Sequence, residues 1–310
     1  MPTLGRFRIE AEIGRGATGV VLRARDPAHG GLVAIKTLAL GHEHEGVALA
    51  EARQRFLREA ETARRLQHAD IVKVLDAGQE QGLAWIAMEY AVGHDLQRHT
   101  REGGLLPEAQ VIQIAARVAD ALAYAHSQGV LHRDIKPANV IVDLEAGCVK
   151  LTDFGIARIA DARRTRTGLV LGTPSFMSPE QLAGGRVDGR SDLYSLGVML
   201  YQLLCGRLPH QADSMSVLMH QIANERAPDV RTHRPQLPLA LASLIAGTLE
   251  KRPDQRPAGG RELAQSLRAI GVDMAAAGPA WASPGGTEAG DLPSVTVTFS
   301  RGDPRHNPAE

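Results

Sequence analysis

The sequence predicts an α+β fold in two unequal parts, a small β-rich region followed by a larger, mostly helical one. In the first ninety residues, apolar and β-branched residues recur in short runs around a single amphipathic stretch. From about residue 107 the apolar spacing lengthens to three and four residues and holds to about residue 270. Residues 271–310 then turn rich in Gly, Ala, Pro and Ser, a composition expected to form a disordered tail.

Taken in order, FRIEAEIG, VVLRARD, LVAIKTLAL and LAWIAMEY read as strands. A helix is expected over roughly 47–67, with Phe56, Ala60, Ala63 and Leu66 on one stripe. The first region thus covers about 7–90, a joint about 89–95 (AVGHDL sits across it), and the second region about 96–270. Pro107 suits a helix start and Gly129 a helix stop, which bounds EAQVIQIAARVADALAYAHSQ. VIVD and CVKLTD read as short strands, and a polar Arg- and Thr-rich loop follows over about 158–178. Further helices are expected near 191–205, 214–224, 238–250 and 260–269.

Composition narrows the class. Lys plus Arg and Asp plus Glu are both 35 in 310 residues, so no basic arm for nucleic acid or basic face for a membrane is expected. No run of 18 apolar residues exists and the N-terminus lacks an apolar signal core, so a soluble, cytoplasmic chain without a membrane segment is expected. Cys148 and Cys205 are too few for a disulfide framework or zinc ribbon; both are expected as buried small hydrophobes in a reducing compartment. Only five of the basic residues are lysines: Lys36, Lys73, Lys136, Lys150 and Lys251. In a chain that otherwise uses Arg, a Lys marks a candidate position for a compact ammonium.

IGRGATGVV places Gly14, Gly16 and Gly19 in a G-x-G-x-x-G pattern between Ile13 and Val21. A dinucleotide fold would open a helix here, whereas the next residues are β-branched. A strand–glycine loop–strand hairpin instead makes a cover whose backbone N–H groups can lie over phosphates. Fifteen residues past Val21 comes Lys36, inside the apolar run VAIK after Ala34, where its charge is costly unless anions meet it. Glu51, Glu59 and Glu61 are candidates. Glu59 shares the stripe of Phe56, Ala63 and Leu66, while Glu61 has Arg58, Arg64 and Arg65 as its neighbours and faces water. Glu59 is therefore the expected partner of Lys36.

VLHRDIKPANVIV (130–142) sets His132, Arg133, Asp134, Lys136 and Asn139 between two apolar flanks. With the glycine loop, VAIK, Asp153-Phe154-Gly155 and Ser178-Pro179-Glu180, all in order, it resembles the eukaryotic-type protein kinases, most closely the bacterial Ser/Thr kinases of this kind. The resemblance covers about 7–270 and implies the two-lobed kinase fold, with an N-lobe, a hinge and a C-lobe. It implies ATP and Mg²⁺ (or Mn²⁺) as cofactors and protein Ser/Thr hydroxyls as acceptors. Asp134 would take or orient the acceptor's proton and Lys136 would steady the γ-phosphate. Asn139 and Asp153 would hold the metal, and Lys36, fixed by Glu59, would grip the α/β-phosphates. Met88, Glu89, Tyr90 and Ala91 resemble the hinge that meets adenine; Ile13, Gly14, Gly16, Gly19, Val21 and Ala34 complete the ATP site. Asp192 resembles the anchor of the catalytic loop, and Glu180 and Arg256 the pair that ties the substrate loop down. His132 is expected only to pack.

The resemblance further implies regulation on the loop ARRTRTGLVLGTPSFMSPE. Thr165 and Thr167 are candidate phosphorylation sites, with Arg133 and Arg158 as the phosphate pocket. Thr173 resembles the threonine that bonds the catalytic Asp and Lys, which together with Lys136 points to Ser/Thr specificity. Ser178 replaces the usual Ala of the A-P-E element, and the loop tip Ala17-Thr18 lacks an aromatic, so its grip on the γ-phosphate is expected to be looser. Protein substrates are the expected partners, and a homodimer for trans-autophosphorylation is allowed. A non-catalytic scaffold would be expected to lack one of Lys36, Asp134, Asn139 or Asp153, and all four are present. A small-molecule phosphotransferase would lack the substrate loop, which is also present.

Overall fold

The computed structural model describes residues 2–16, 19–38, 47–80, 82–154 and 174–275. The glycine-loop tip Ala17-Thr18, Gly155, Arg158, Thr165, Thr167, Thr173 and residues 276–310 lie outside the described residues.

The N-lobe is a six-stranded antiparallel sheet. Its strands are β1 (Thr3–Leu4), β2 (Phe7–Gly16), β3 (Gly19–Arg25), β4 (Leu32–Thr37), β5 (Val74–Glu80) and β6 (Leu83–Glu89), in the order β1-β2-β3-β4-β6-β5. Val33, Ile35 and Ala87 face a small outer core with Phe7 and Trp85, while Ala34, Ile86 and Met88 face the inner core shared with helix α1 (Val47–Arg64). That is the period-2 division of a two-faced sheet. The expected strands are all present. β5 is an addition, because Asp76, Gly78, Gln79 and Glu80 break its apolar alternation. It is an edge strand with a single neighbour, and polar residues are tolerated there.

Residues 90–93 lead into a three-stranded sheet of β7 (His94–Asp95), β8 (Val140–Asp143) and β9 (Cys148–Leu151), in that order. Gly93 has φ +117°, and a Cβ there would overlap the carbonyl of Val142. Gly93→Ala is therefore expected to lower the melting temperature and raise KM for ATP, since β7 must shift away from β8. An unchanged melting curve counts against that close approach.

The C-lobe is built on α2 (Glu108–Ser127), α3 (Pro179–Leu182), α4 (Gly189–Cys205), α5 (Met215–Asn224), α6 (Leu239–Thr248) and α7 (Gly260–Ala275). α2 ends as its glycine demands: Gly129 has φ +75°, with Gly129 N–H donating to His126 O (3.0 Å) and Val130 N–H to Ala125 O (2.9 Å). This turn launches the chain into residues 130–139. α4 is buried along nearly its whole length, and Tyr194, Leu196, Met199 and Tyr201 are fully enclosed. A helix apolar on all sides belongs at a core centre. α7 runs six residues past the expected boundary, to Ala275, because Ile270 and Met274 still pack against the core. Cys205 is buried as expected; Cys148 is only half-buried, on the outer strand β9. No helix among the described residues is long and apolar enough to cross a membrane.

Candidate active site

Residues 130–139 fold over the N-terminal half of α4. Asp192, 1% exposed, collects three donors: the N–H of His132 (2.9 Å) and Nε2 of His126 (2.8 Å) on Oδ2, and the N–H of Arg133 (2.6 Å) on Oδ1. Charge-assisted bonds of this kind are the strong ones. They hold Arg133 at φ +66°, a left-handed conformation that costs a non-glycine residue roughly 1–2 kcal/mol. The peptide carbonyl of Arg133 in turn accepts from Gln181 Nε2 at 3.0 Å, so the loop is fastened on both sides.

His132 is fully buried. Its Nε2–H donates to the carbonyl of Thr152 (2.8 Å) and its Nδ1 accepts from the N–H of Asp134 (3.3 Å), which defines a neutral ring with the proton on Nε2. Burial holds its pKa below the ordinary histidine value. The ring packs on Phe154, centroids 4.6 Å apart. His132 thus packs as expected, and it also carries bonds that set residues 132–134 against the segment bearing Asp153.

Oδ2 of Asp134 accepts from Lys136 Nζ at 2.8 Å and from Asn139 Nδ2 at 3.0 Å; Asn139 Nδ2 also donates to the Asp134 carbonyl at 2.7 Å. The Asn139 carbonyl receives the N–H of Thr152 at 2.9 Å, tying β8 to the residue before Asp153. Asp153 itself has φ +62°, and its Oδ2 lies 2.6 Å from Lys36 Nζ. Burial pushes the Asp153 carboxyl up, but the Lys36 ammonium more than offsets this, so the group sits below the usual carboxylate range. The sequence pairs Lys36 with Glu59. Here the largely buried ammonium instead meets Asp153, while Glu59 lies half-buried on the α1 stripe with Phe56, Ala60 and Ala63.

An open cleft runs between the lobes. Ile13, Val21, Ala34, Val72, Met88 and Ile141 line its apolar part, Glu89, Tyr90 and Ala91 one edge, and Lys36, Thr152 and Asp153 its polar end. An apolar slot ending in charged groups fits a heteroaromatic ring joined to phosphates. Gly14, Gly16 and Gly19 sit at the β2–β3 turn, where Gly16 pairs with Gly19. Val72, Ile141, Thr152 and His126 are additions to the residues expected from the sequence. A single Val in a loop, the middle of an apolar triplet, a hydroxyl before an Asp and a His within a helix carry no local signal of that role.

Glu180 and Arg256 form a bidentate pair at 2.7 and 2.9 Å. All five Arg256 N–H donors are used, the others by the carbonyls of Glu250, Lys251 and Arg190, and the Ser191 hydroxyl donates to Glu180. Arg256 lies over the ring of Tyr194, 4.9 Å from its centroid.

The described residues contain no group of three His, Cys, Asp or Glu placed to hold a metal. What they offer is the Asp153 carboxylate and, because Asn139 spends its N–H₂ on Asp134, the Asn139 side-chain oxygen. Two hard oxygen donors fit Mg²⁺, which keeps waters and takes its remaining ligands from substrate phosphates.

The fold and cleft thus set a strand-borne lysine against an aspartate, next to a braced Asp–Lys–Asn loop. A family model for the protein kinase domain matches residues 7–267, and the chain belongs to that family. The serine/threonine-protein kinase pkn3 of Myxococcus xanthus is 41% identical over 86% of this chain and 50% of its own length. The kinase PknJ of Mycobacterium tuberculosis is 39% identical over 85% of this chain and 45% of its own. The chain therefore spans half or less of the curated relatives it matches. The crystal structure of Rad53 in complex with AMP-PNP shares the fold, with a TM-score of 0.68 at 23% identity over 83% of this chain and 64% of that one.

Proposed function

We propose that the chain transfers the γ-phosphate of ATP to serine or threonine hydroxyls of proteins. One observation carries this reading: Lys136 and Asn139 both bond the Asp134 carboxylate, and the Asn139 carbonyl bonds Thr152, which lines the cleft whose polar end holds Lys36 and Asp153. In the proposed reaction, Asp134 accepts the proton of the acceptor hydroxyl and keeps its oxygen aimed along the attack line. Lys136, already on the Asp134 carboxylate, supplies positive charge where the transferred group develops negative charge. Lys36 exchanges its Asp153 contact for phosphate oxygens and Glu59, which frees the Asp153 carboxylate. Mg²⁺, held by Asp153 and Asn139, would neutralise the phosphate charge when bound. Ile13, Gly14, Gly16, Gly19, Val21, Ala34, Glu89 and Ala91 enclose the nucleotide, and Asp192, Glu180 and Arg256 hold the frame. Relatives named as serine/threonine-protein kinases support the acceptor class. The test is transfer of labelled phosphate to itself or a generic protein substrate with ATP and Mg²⁺, and no transfer overturns the reading.

The reading includes activation by phosphorylation in trans at Thr165 and Thr167, each phosphate adding about −2 charge for Arg133 and Arg158 to meet, with Thr173 bridging to Asp134. Replacing both threonines by Ala is expected to cut activity at least tenfold and remove the phosphopeptide from the digest. Full activity in the double variant sinks this part alone.

A further inference from the structure

Lys150 carries an ion pair that the proposed reaction does not use. It lies on β9, opposite Ile141 of β8, and its ammonium is paired with the carboxylate of Glu89, the last residue of β6. Both side chains are about three-quarters buried, at 26% and 30% exposure, so the pair is better shielded than a free surface contact. Its two ends differ in freedom. β9 is fixed by its own backbone: Leu151 N–H donates to Asp70 O (2.8 Å), Val72 N–H to Leu151 O (2.9 Å), and Lys150 sits in register within the sheet. Glu89 stands where the N-lobe sheet ends and the connection to the C-lobe begins. Its N–H donates to Lys73 O (2.9 Å), and its carboxylate reaches back to Lys150.

We propose that Lys150 is a positioning residue for the nucleotide: a strut between β9 and the hinge that holds Glu89, Tyr90 and Ala91 at one fixed distance from Thr152 and Asp153 across the cleft. All five of those residues line the same cavity, and Lys150 lies two residues before Thr152. The strut fixes the length of the site from its ring-binding edge to its phosphate end. A bound nucleotide then meets a slot already at working width instead of ordering the hinge on arrival. The role needs a cation on a long stem that can lie along the sheet, and the pair needs one contact only.

This inference rests on the proposed use of ATP. The purified chain and its Lys150→Met, Glu89→Gln, double and Lys150→Arg variants are titrated with ADP by calorimetry, melted without nucleotide, and assayed for KM and kcat. Lys150→Met is expected to weaken ADP and raise KM for ATP about fivefold, with kcat within about twofold of wild type and little change in melting. The double variant should lose no more than either single one, as expected for a coupled pair. Lys150→Arg should recover most of the affinity. Wild-type affinity in Lys150→Met, or losses that add in the double variant, overturns the strut. Equal falls in melting temperature and kcat with no rescue by Arg reassign the pair to bulk stability and likewise overturn it. A wild-type chain that binds no ADP overturns the ATP reading and this inference together, whereas ADP binding that Lys150→Met leaves unchanged overturns this inference alone.

Discussion

Asp134→Asn is expected to lower kcat for phosphoryl transfer by about 10²–10⁴-fold, the usual range for removing a general base, with ADP affinity and melting temperature near wild type. The geometry makes the substitution unusually clean. Both internal donors, Lys136 Nζ and Asn139 Nδ2, converge on the same oxygen, Oδ2. An asparagine can turn its amide oxygen to that position and keep both bonds. The other position then becomes an N–H₂ group, which donates where the hydroxyl needs an acceptor. Shape and loop packing survive while proton acceptance is lost. The companion Lys36→Met should fail differently, by weakening nucleotide binding as well as turnover. A variant Asp134→Asn within tenfold of wild type would falsify the assignment of Asp134 as the base.

Arg256→Met is expected to destabilise the C-lobe by about 3–5 kcal/mol, read by denaturant unfolding, because it strips a buried carboxylate of its partner. Arg256 has no exposed side-chain surface and Glu180 only 12%. Burial pushes the Glu180 carboxyl up, but the bonds from Arg256 and Ser191 more than offset it, so its pKa lies below the ordinary value. A depressed carboxyl stabilises the fold above its unfolded pKa, and that stability is lost as pH falls through the folded pKa. The gap between wild type and Arg256→Met should therefore be full near neutral pH and narrow under acid. A gap that is constant with pH would mean that lost packing on Tyr194 dominates over lost charge.

The order of elements could be read from residues alone because β-branched alternation and helical spacing are local properties. The edge strand β5 could not: VLDAGQE owes its pairing to β6, and a polar edge sequence has no alternation to detect. The candidate site was legible as a cluster where polar side chains stand in series, as in His132 to Asn139. It was not legible where the demand is only for an apolar surface, as at Val72 and Ile141, nor in the partner of Lys36. The sequence offers several acids at suitable distances, and the choice between Glu59 and Asp153 depends on how the lobes and α1 sit. The lysine pattern was informative beyond its first use. Among the described residues, four of the five have specific partners: Asp153, Asp134, Glu89, and for Lys251 the Ile222 carbonyl (2.8 Å) and His210 (3.2 Å).

Asp192 has one more consequence. Because it bonds the amides of His132 and Arg133 from within a helix buried along nearly its whole length, the position of Asp134 is tied to the C-lobe interior. A shift of the N-lobe strands against the C-lobe is therefore expected to leave the bonds within residues 132–139 unchanged, because those residues are anchored to Asp192 and Thr152 and not to the N-lobe sheet.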